Sequence, residues 1–207
     1  MARVTAEEAL KTREKLLDSA LEVFWKDGVA RPSLTKVAER AGMTRGAVYG
    51  HFKNKEDLFG ALCDRILMPS DVLERLREEG SDDPLGLLRQ WIYDVFHRTR
   101  HQRDNRMLME ILLTRCEAVE GDPIRDRLAY DGKRSLHHER ELLRAAIERD
   151  QLPAGLDLDL ASKAVHAYIG GVLRLAALGV DDMDDRLDAL ADLGIDMLRS
   201  PALLRRE

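Results

Sequence analysis

The chain has 207 residues and a net charge of -5, with 44% hydrophobic and 34% charged residues, enough for one sizeable core or two smaller ones and unlike a disordered chain. No apolar run approaches the roughly 18 residues of a membrane span, and the opening MARVTAEEALKTREK is charged where a signal peptide would be apolar, so the expected compartment is the cytoplasm. Cys63 and Cys116 have neither CxxC nor zinc spacing, which excludes a disulfide framework and reads as two buried thiols, with a redox pair as the alternative.

Thr5 and Glu8 form a capping box, and Leu10, Leu16, Leu17, Ala20, Leu21 and Phe24 recur at helical spacing up to Gly28, which predicts a first helix. Leu34, Val37, Ala38 and Ala41 mark one face of a second helix capped by Ser33, and Gly42 stops it. Thr44 caps a third helix from Arg45 to about His51, which makes the pair a helix-turn-helix. Val48 and Phe52 share its inner face, while Arg45 and Tyr49, also spaced i, i+4, project beside them. Gly46 and Gly50 leave a third line bare of side chains. Each costs about 1 kcal/mol relative to Ala inside a helix, so the line calls for close approach of the backbone to another surface.

Charge points to DNA as that surface. From Arg31 to Lys55 there are six basic residues (Arg31, Lys36, Arg40, Arg45, Lys53, Lys55) against Glu39 alone. Residues 1–65 carry 12 Lys and Arg against 10 Asp and Glu, and the remainder carries 21 against 28, so positive charge is local to the front of an acidic chain. A basic helix-turn-helix places its second helix in the major groove, where Lys and Arg neutralise phosphates. The plainer alternative is a helical hairpin with a solvated basic face.

Asn54 and Asp57 cap a fourth helix beginning at Lys55, with Leu58, Leu62, Arg65 and Ile66 along it; Pro69 either kinks it or marks an end and a restart. Pro84 opens a fifth helix through about His101, with Leu87, Leu88, Trp91, Ile92, Val95 and Phe96 inward. Asp104 caps a sixth ending before Gly121, Pro123 opens a seventh to about Asp150, and an eighth runs from about Leu158 to Gly179. A ninth runs from about Met183 to Leu198. With no strand-type alternation or repeat, the expected fold is all-α with about nine helices.

The run TREKLLDSALEVFWKDGVARPSLTKVAERAGMTRGAVYGHFKNKEDLFGAL resembles the DNA-binding head of the TetR family of transcriptional regulators, nearest the AcrR-like local repressors of multidrug efflux. Fainter similarity persists in MEILLTRCE, ERDQLPAGLDLDLAS and AYIGGVLR. The resemblance implies a recognition helix from Thr44 to His51, with Thr44, Tyr49, His51 and Lys55 on phosphates and Arg45 on bases. Ser33, Thr35 and Gly46 complete the DNA-facing set. Many relatives have an aromatic residue where this chain has Gly50, so one backbone contact is expected to be absent. The implied organisation is a DNA-binding domain at 1–54 and a ligand-binding and dimerisation domain at 55–207. The resemblance also implies a mostly apolar effector cavity, and Trp91, Phe96, Met107, Met109, Cys116 and Tyr168 are its expected lining. Gly170 and Leu175 to Ala177 replace larger or polar residues of relatives, so effector identity does not carry over.

His97 and His101 lie i, i+4 with Asp94 before them, yet Arg98, Arg100 and Arg103 make a poor setting for a cation, and no metal or cofactor is expected. His137, His138 and Glu139 read as an exposed charged patch. There is no GxSxG, GxxxxGK[ST] or HExxH, so no enzyme is expected.

The expected partners are a palindromic double-stranded DNA operator, an apolar small molecule that releases it through the fourth helix, and a second copy of the chain. In the ninth helix Met183, Leu187, Leu190, Gly194 and Met197 form an apolar stripe beside Asp184, Asp185 and Asp188. In the eighth, Leu160, Ala164, Tyr168 and Leu175 lie on one side and Val165, Ile169, Val172 and Ala176 on another. A helix apolar nearly all round must be covered twice, which predicts a four-helix dimer bundle with Val165, Ile169, Val172, Leu187, Leu190 and Met197 at the interface. A helix packing only on its own core would show the same stripe. The rivals are an activator or a regulator of metabolic genes and, in another class, an all-α enzyme or a non-DNA interaction module.

Overall fold

The computed structural model describes residues 5–66, 68–116, 123–180, 183 and 186–204. Among these there are ten α-helices: α1 (Ala6–Asp27), α2 (Leu34–Arg40), α3 (Arg45–His51), α4 (Lys55–Arg65), α5 (Pro69–Glu79), α6 (Pro84–His101), α7 (Arg103–Glu110), α8 (Pro123–Glu148), α9 (Leu158–Ala177) and α10 (Leu187–Asp196). No strand occurs among the described residues beyond an isolated bridge between Leu156 and Leu204, and no helix there is long and apolar enough to cross a membrane. The chain divides into two compact units, Met1–Ile66 with Met107–Arg127, and Leu67–Arg106 with Leu128–Glu207.

The first unit begins with the capping box, in which Thr5 N–H donates to Glu8 at 2.8 Å and Glu8 N–H to the Thr5 hydroxyl at 3.2 Å. Leu16, Leu17, Ala20, Leu21 and Phe24 of α1 are buried with Val37 and Ala38 of α2, Val48 of α3, and Leu58, Phe59 and Leu62 of α4. Each large apolar side chain so buried contributes about 1.5–3 kcal/mol. Phe24 and Phe59 meet edge to face at 6.0 Å.

The tenth helix arises at Pro69. α4 ends at Arg65 with Ile66 extended, and Pro69 opens α5, where a residue without an N–H fits the unpaired first turn. The chain therefore ends one helix and restarts another. Met68 N–H donates to Asp71 at 3.2 Å, and the Trp91 indole N–H donates to the Pro69 carbonyl at 2.8 Å.

The sixth and ninth predicted helices are shorter than expected. α7 stops at Glu110 and gives way to a π-helical turn, Ile111–Arg115, with Cys116 extended; Gly121 lies outside the described residues. Met183 is buried at φ 52, ahead of α10, and Asp184 and Asp185 lie outside the described residues. In the second unit Arg89 of α6 bridges Asp188 at 2.9 Å and Asp192 at 2.6 Å on α10, which raises the Arg89 pKa and holds Asp192 below the usual carboxylate range. Gly194 sits where a Cβ would meet Ile92 at 3.0 Å and Tyr168 at 3.2 Å. That close approach within the chain accounts for the glycine in the α10 stripe.

Candidate nucleic-acid interface

The turn between α2 and α3 is closed by backbone. Gly42 has φ 66, its N–H donates to Glu39 C=O at 3.0 Å, and Met43 N–H donates to Ala38 C=O at 2.8 Å. This paired ending requires the left-handed conformation that glycine adopts without strain. The Ser33 and Thr44 hydroxyls accept from Lys36 N–H and Ala47 N–H, each at 3.3 Å. A hydroxyl that accepts a cap bond keeps its own proton for a phosphate oxygen.

Anchored on its inner side by buried Val48, with Phe52 as its buried C-cap, α3 leaves Arg45, Gly46, Tyr49 and Gly50 exposed. Thr44 and Ser33 are exposed as well, and Thr35, His51 and Lys55 are half-buried. The eight residues expected to face DNA thus lie on α2, α3, the caps before them, and the first residue of α4.

The basic side chains differ in what holds them. Lys36 pairs with Asp27 at 2.8 Å and lowers the Asp27 pKa; Arg40 pairs with Glu22. Lys55 donates to the Ala30 carbonyl at 2.6 Å, tying the start of α4 to the loop before α2. Arg45 is held by a ring instead: its guanidinium carbon lies 5.3 Å from the centre of Tyr49, which is 47% exposed.

The six residues expected to line an effector cavity fall in both units. Trp91 and Phe96 are buried in the second, where Phe96 meets Tyr168 edge to face at 6.3 Å and the Tyr168 hydroxyl donates to Leu190 C=O at 2.7 Å. Met107 and Met109 are buried in the first unit, and Cys116 there is half-buried. The second unit has an opening of about 300 Å³ lined by Ser81, Leu87, Glu141, Leu142 and Arg149 among others, and none of the six lines it.

Of the residues expected at the dimer interface, Val165, Ile169 and Leu187 are buried within the chain itself, while Val172, Leu190 and Met197 are half-exposed. The apolar residues left facing outward are Leu160, Leu175 and Leu178 of α9 and the residue following it, with Leu193 of α10. Ala167 and Gly171 lie exposed between Leu160 and Leu175. The sequence predicts that α9 is covered on two sides; the chain itself buries Val165 and Ile169 on one and packs Tyr168 on the other, leaving Leu160 and Leu175 exposed.

The patch at residues 137–139 is not wholly exposed, because His138 and Glu139 are buried. His166 Nδ1 of α9 lies 3.0 Å from Glu139 Oε1. Burial pushes the Glu139 carboxyl up, and the hydrogen bond to Glu139 raises His166. Nothing local in the sequence marks this pair, whose members are 27 residues apart. On α6 the His97 and His101 rings are 4.6 Å apart, and no group of three or more metal-binding side chains occurs among the described residues.

An exposed, basic-ended α3 set by a glycine turn on an otherwise helical chain defines a helix-turn-helix DNA-binding regulator. The profile of bacterial regulatory proteins, tetR family, matches residues 16–62, and that of the MAATS-type transcriptional repressor, C-terminal region, matches residues 83–200. The chain belongs to the TetR family of transcriptional regulators. It is 38% identical to the HTH-type transcriptional regulator TtgR of Pseudomonas putida, over 98% of this chain and 99% of that protein. NalD, the secondary repressor of the MexAB-OprM multidrug efflux pump in Pseudomonas aeruginosa, superposes with a TM-score of 0.80 at 30% identity, covering 93% of this chain and 99% of that one. SmeT in complex with triclosan superposes at 0.81 with 32% identity, covering 94% and 95%.

Proposed function

We propose that this protein represses an operon for efflux or transport, bound as a homodimer to a palindromic operator and released by an apolar small molecule. The observation that carries the reading is similarity along nearly the whole chain to repressors of multidrug efflux pumps, joined to an exposed Arg45 and Tyr49 on α3. Residues 1–54 bind DNA in this reading, and residues 55–207 bind the effector and the second subunit. Each subunit offers one α3 to successive major grooves, so the two must lie about 34–36 Å apart. An effector that prefers a different separation shifts the population away from the DNA-bound form, and one with equal affinity for both forms shifts nothing. The dimer uses the outward residues Leu160, Leu175 and Leu193 with the half-exposed Val172, Leu190 and Met197, two helices from each chain forming the bundle.

A gel shift on the DNA flanking the gene, repeated with a panel of apolar drugs, tests the reading. Retardation reversed by at least one compound is expected. Retardation that no compound in a broad panel reverses would remove the induction step.

A further inference from the structure

We propose that the Tyr49 ring positions the Arg45 guanidinium for base reading and so determines operator specificity, separately from any contact made by the Tyr49 hydroxyl. The inference rests on the reading of α3 as the helix in the major groove. Arg45 and Tyr49 lie one turn apart on the exposed side of α3, and the guanidinium carbon stands 5.3 Å from the ring centre, inside the roughly 6 Å at which a cation is attracted to an aromatic face.

What sets Arg45 apart is the kind of partner. Lys36 and Arg40 are held by carboxylates, and Lys55 by a carbonyl. A cation held by a carboxylate must break that pair before it meets DNA. With a ring and no carboxylate or carbonyl beside it, the Arg45 guanidinium has no hydrogen-bond acceptor among the described residues to give up, so its N–H donors remain available for the two acceptors on a guanine edge. The ring narrows the rotamers of Arg45 while leaving its hydrogen-bonding edge open.

The neighbouring positions leave this task to Tyr49. A Cβ at Gly46 would meet only the Thr44 hydroxyl at 3.9 Å, and one at Gly50 would meet nothing within 4 Å. No carboxylate pairs with Arg45 among the described residues. Without the ring, Arg45 would sweep an open surface flanked by two glycines.

Because ring and hydroxyl are separable, two substitutions divide their roles. The measurement is the ratio of affinities for the operator and for its single-base-pair variants, by fluorescence anisotropy over a range of salt, with Tyr49→Phe, Tyr49→Leu, Arg45→Ala and the Tyr49→Leu/Arg45→Ala double variant. Tyr49→Leu is expected to lower discrimination about two- to fivefold at the base pair that Arg45→Ala makes silent, with an unchanged melting temperature and no further loss in the double variant. Tyr49→Phe is expected to keep discrimination and, if the hydroxyl meets a phosphate, to weaken binding equally across the operator variants with an unchanged salt slope, because a neutral hydroxyl releases no counterion. Wild-type discrimination in Tyr49→Leu, alongside its loss in Arg45→Ala, would overturn the positioning role. Wild-type discrimination in Arg45→Ala itself would instead overturn the groove reading beneath it.

Discussion

The indole N–H of Trp25, near the end of α1, donates to the Glu110 carboxylate at the end of α7, and the Arg115 guanidinium lies 5.8 Å from the centre of the same ring. Arg115 reaches the Lys26 carbonyl at 3.5 Å, and its own carbonyl accepts from Val29 N–H at 3.5 Å. The segment carrying Met107 and Met109 is thereby pinned to the C-terminal end of the first helix of the DNA-binding head. Glu110→Ala is expected to cost about 1 kcal/mol, the usual net value of a hydrogen bond, read as a lower midpoint in urea unfolding followed by Trp fluorescence. An unchanged midpoint would mean the clasp adds nothing to stability.

Lys55 has a structural bond as well as an expected phosphate contact. Its ammonium uses one of three donors on the Ala30 carbonyl, leaving two. Lys55→Ala is therefore expected to destabilise the protein by about 1 kcal/mol and to lower the salt slope of operator binding by about 1. Thermal melting and a salt titration read the two effects independently; an unchanged slope would remove Lys55 from the DNA-binding set.

The outward apolar residues of α9 and α10 give the dimer its test. Leu160→Glu with Leu193→Glu changes exposed positions, so the chain is expected to keep its fold, become monomeric by light scattering, and bind operator weakly. Leu187→Glu places a charge in the protein's own core and is expected to lower stability severely. A mass of two chains in the Leu160→Glu/Leu193→Glu protein would place the interface elsewhere.

The buried pair sets a pH dependence. His166 is raised above its ordinary 6.5 by the hydrogen bond to Glu139, so its contribution is fully present below about 6.5 and is lost as pH rises through the folded value. Glu139 is raised above its ordinary 4.5 by burial, so its proton is also favoured by folding and its loss runs in the same direction. Melting temperature is expected to fall as pH rises from about 6 to about 8, and His166→Gln to flatten that fall. An equal slope in the variant would assign the effect to other groups.

The local parts of the fold were legible because their causes are local. Gly42, Thr44, Asn54 and the Thr5–Glu8 box act on backbone groups within a few residues, and each occurs as the spacing required. Pro69 marked a break, but the Trp91 indole that caps its carbonyl lies 22 residues away, and no periodicity links the two. That Val165, Ile169 and Leu187 are buried by their own chain was illegible for the same reason. Which side of an apolar helix meets its own chain depends on packing geometry, here the close approach of Gly194 to Ile92 and Tyr168. The recognition surface needed only α3 itself, whereas the partners of Lys36, Arg40 and Lys55 come from α1 and the loop after it.

The central claim is that α3 reads DNA sequence, and Arg45 is its most direct probe. Fluorescence anisotropy on the operator recovered by gel shift, comparing wild type with Arg45→Ala at one salt concentration, is expected to show a loss of about 1–3 kcal/mol, with discrimination lost at one base pair of each half-site. Equal affinity and equal discrimination in the two proteins would contradict the account.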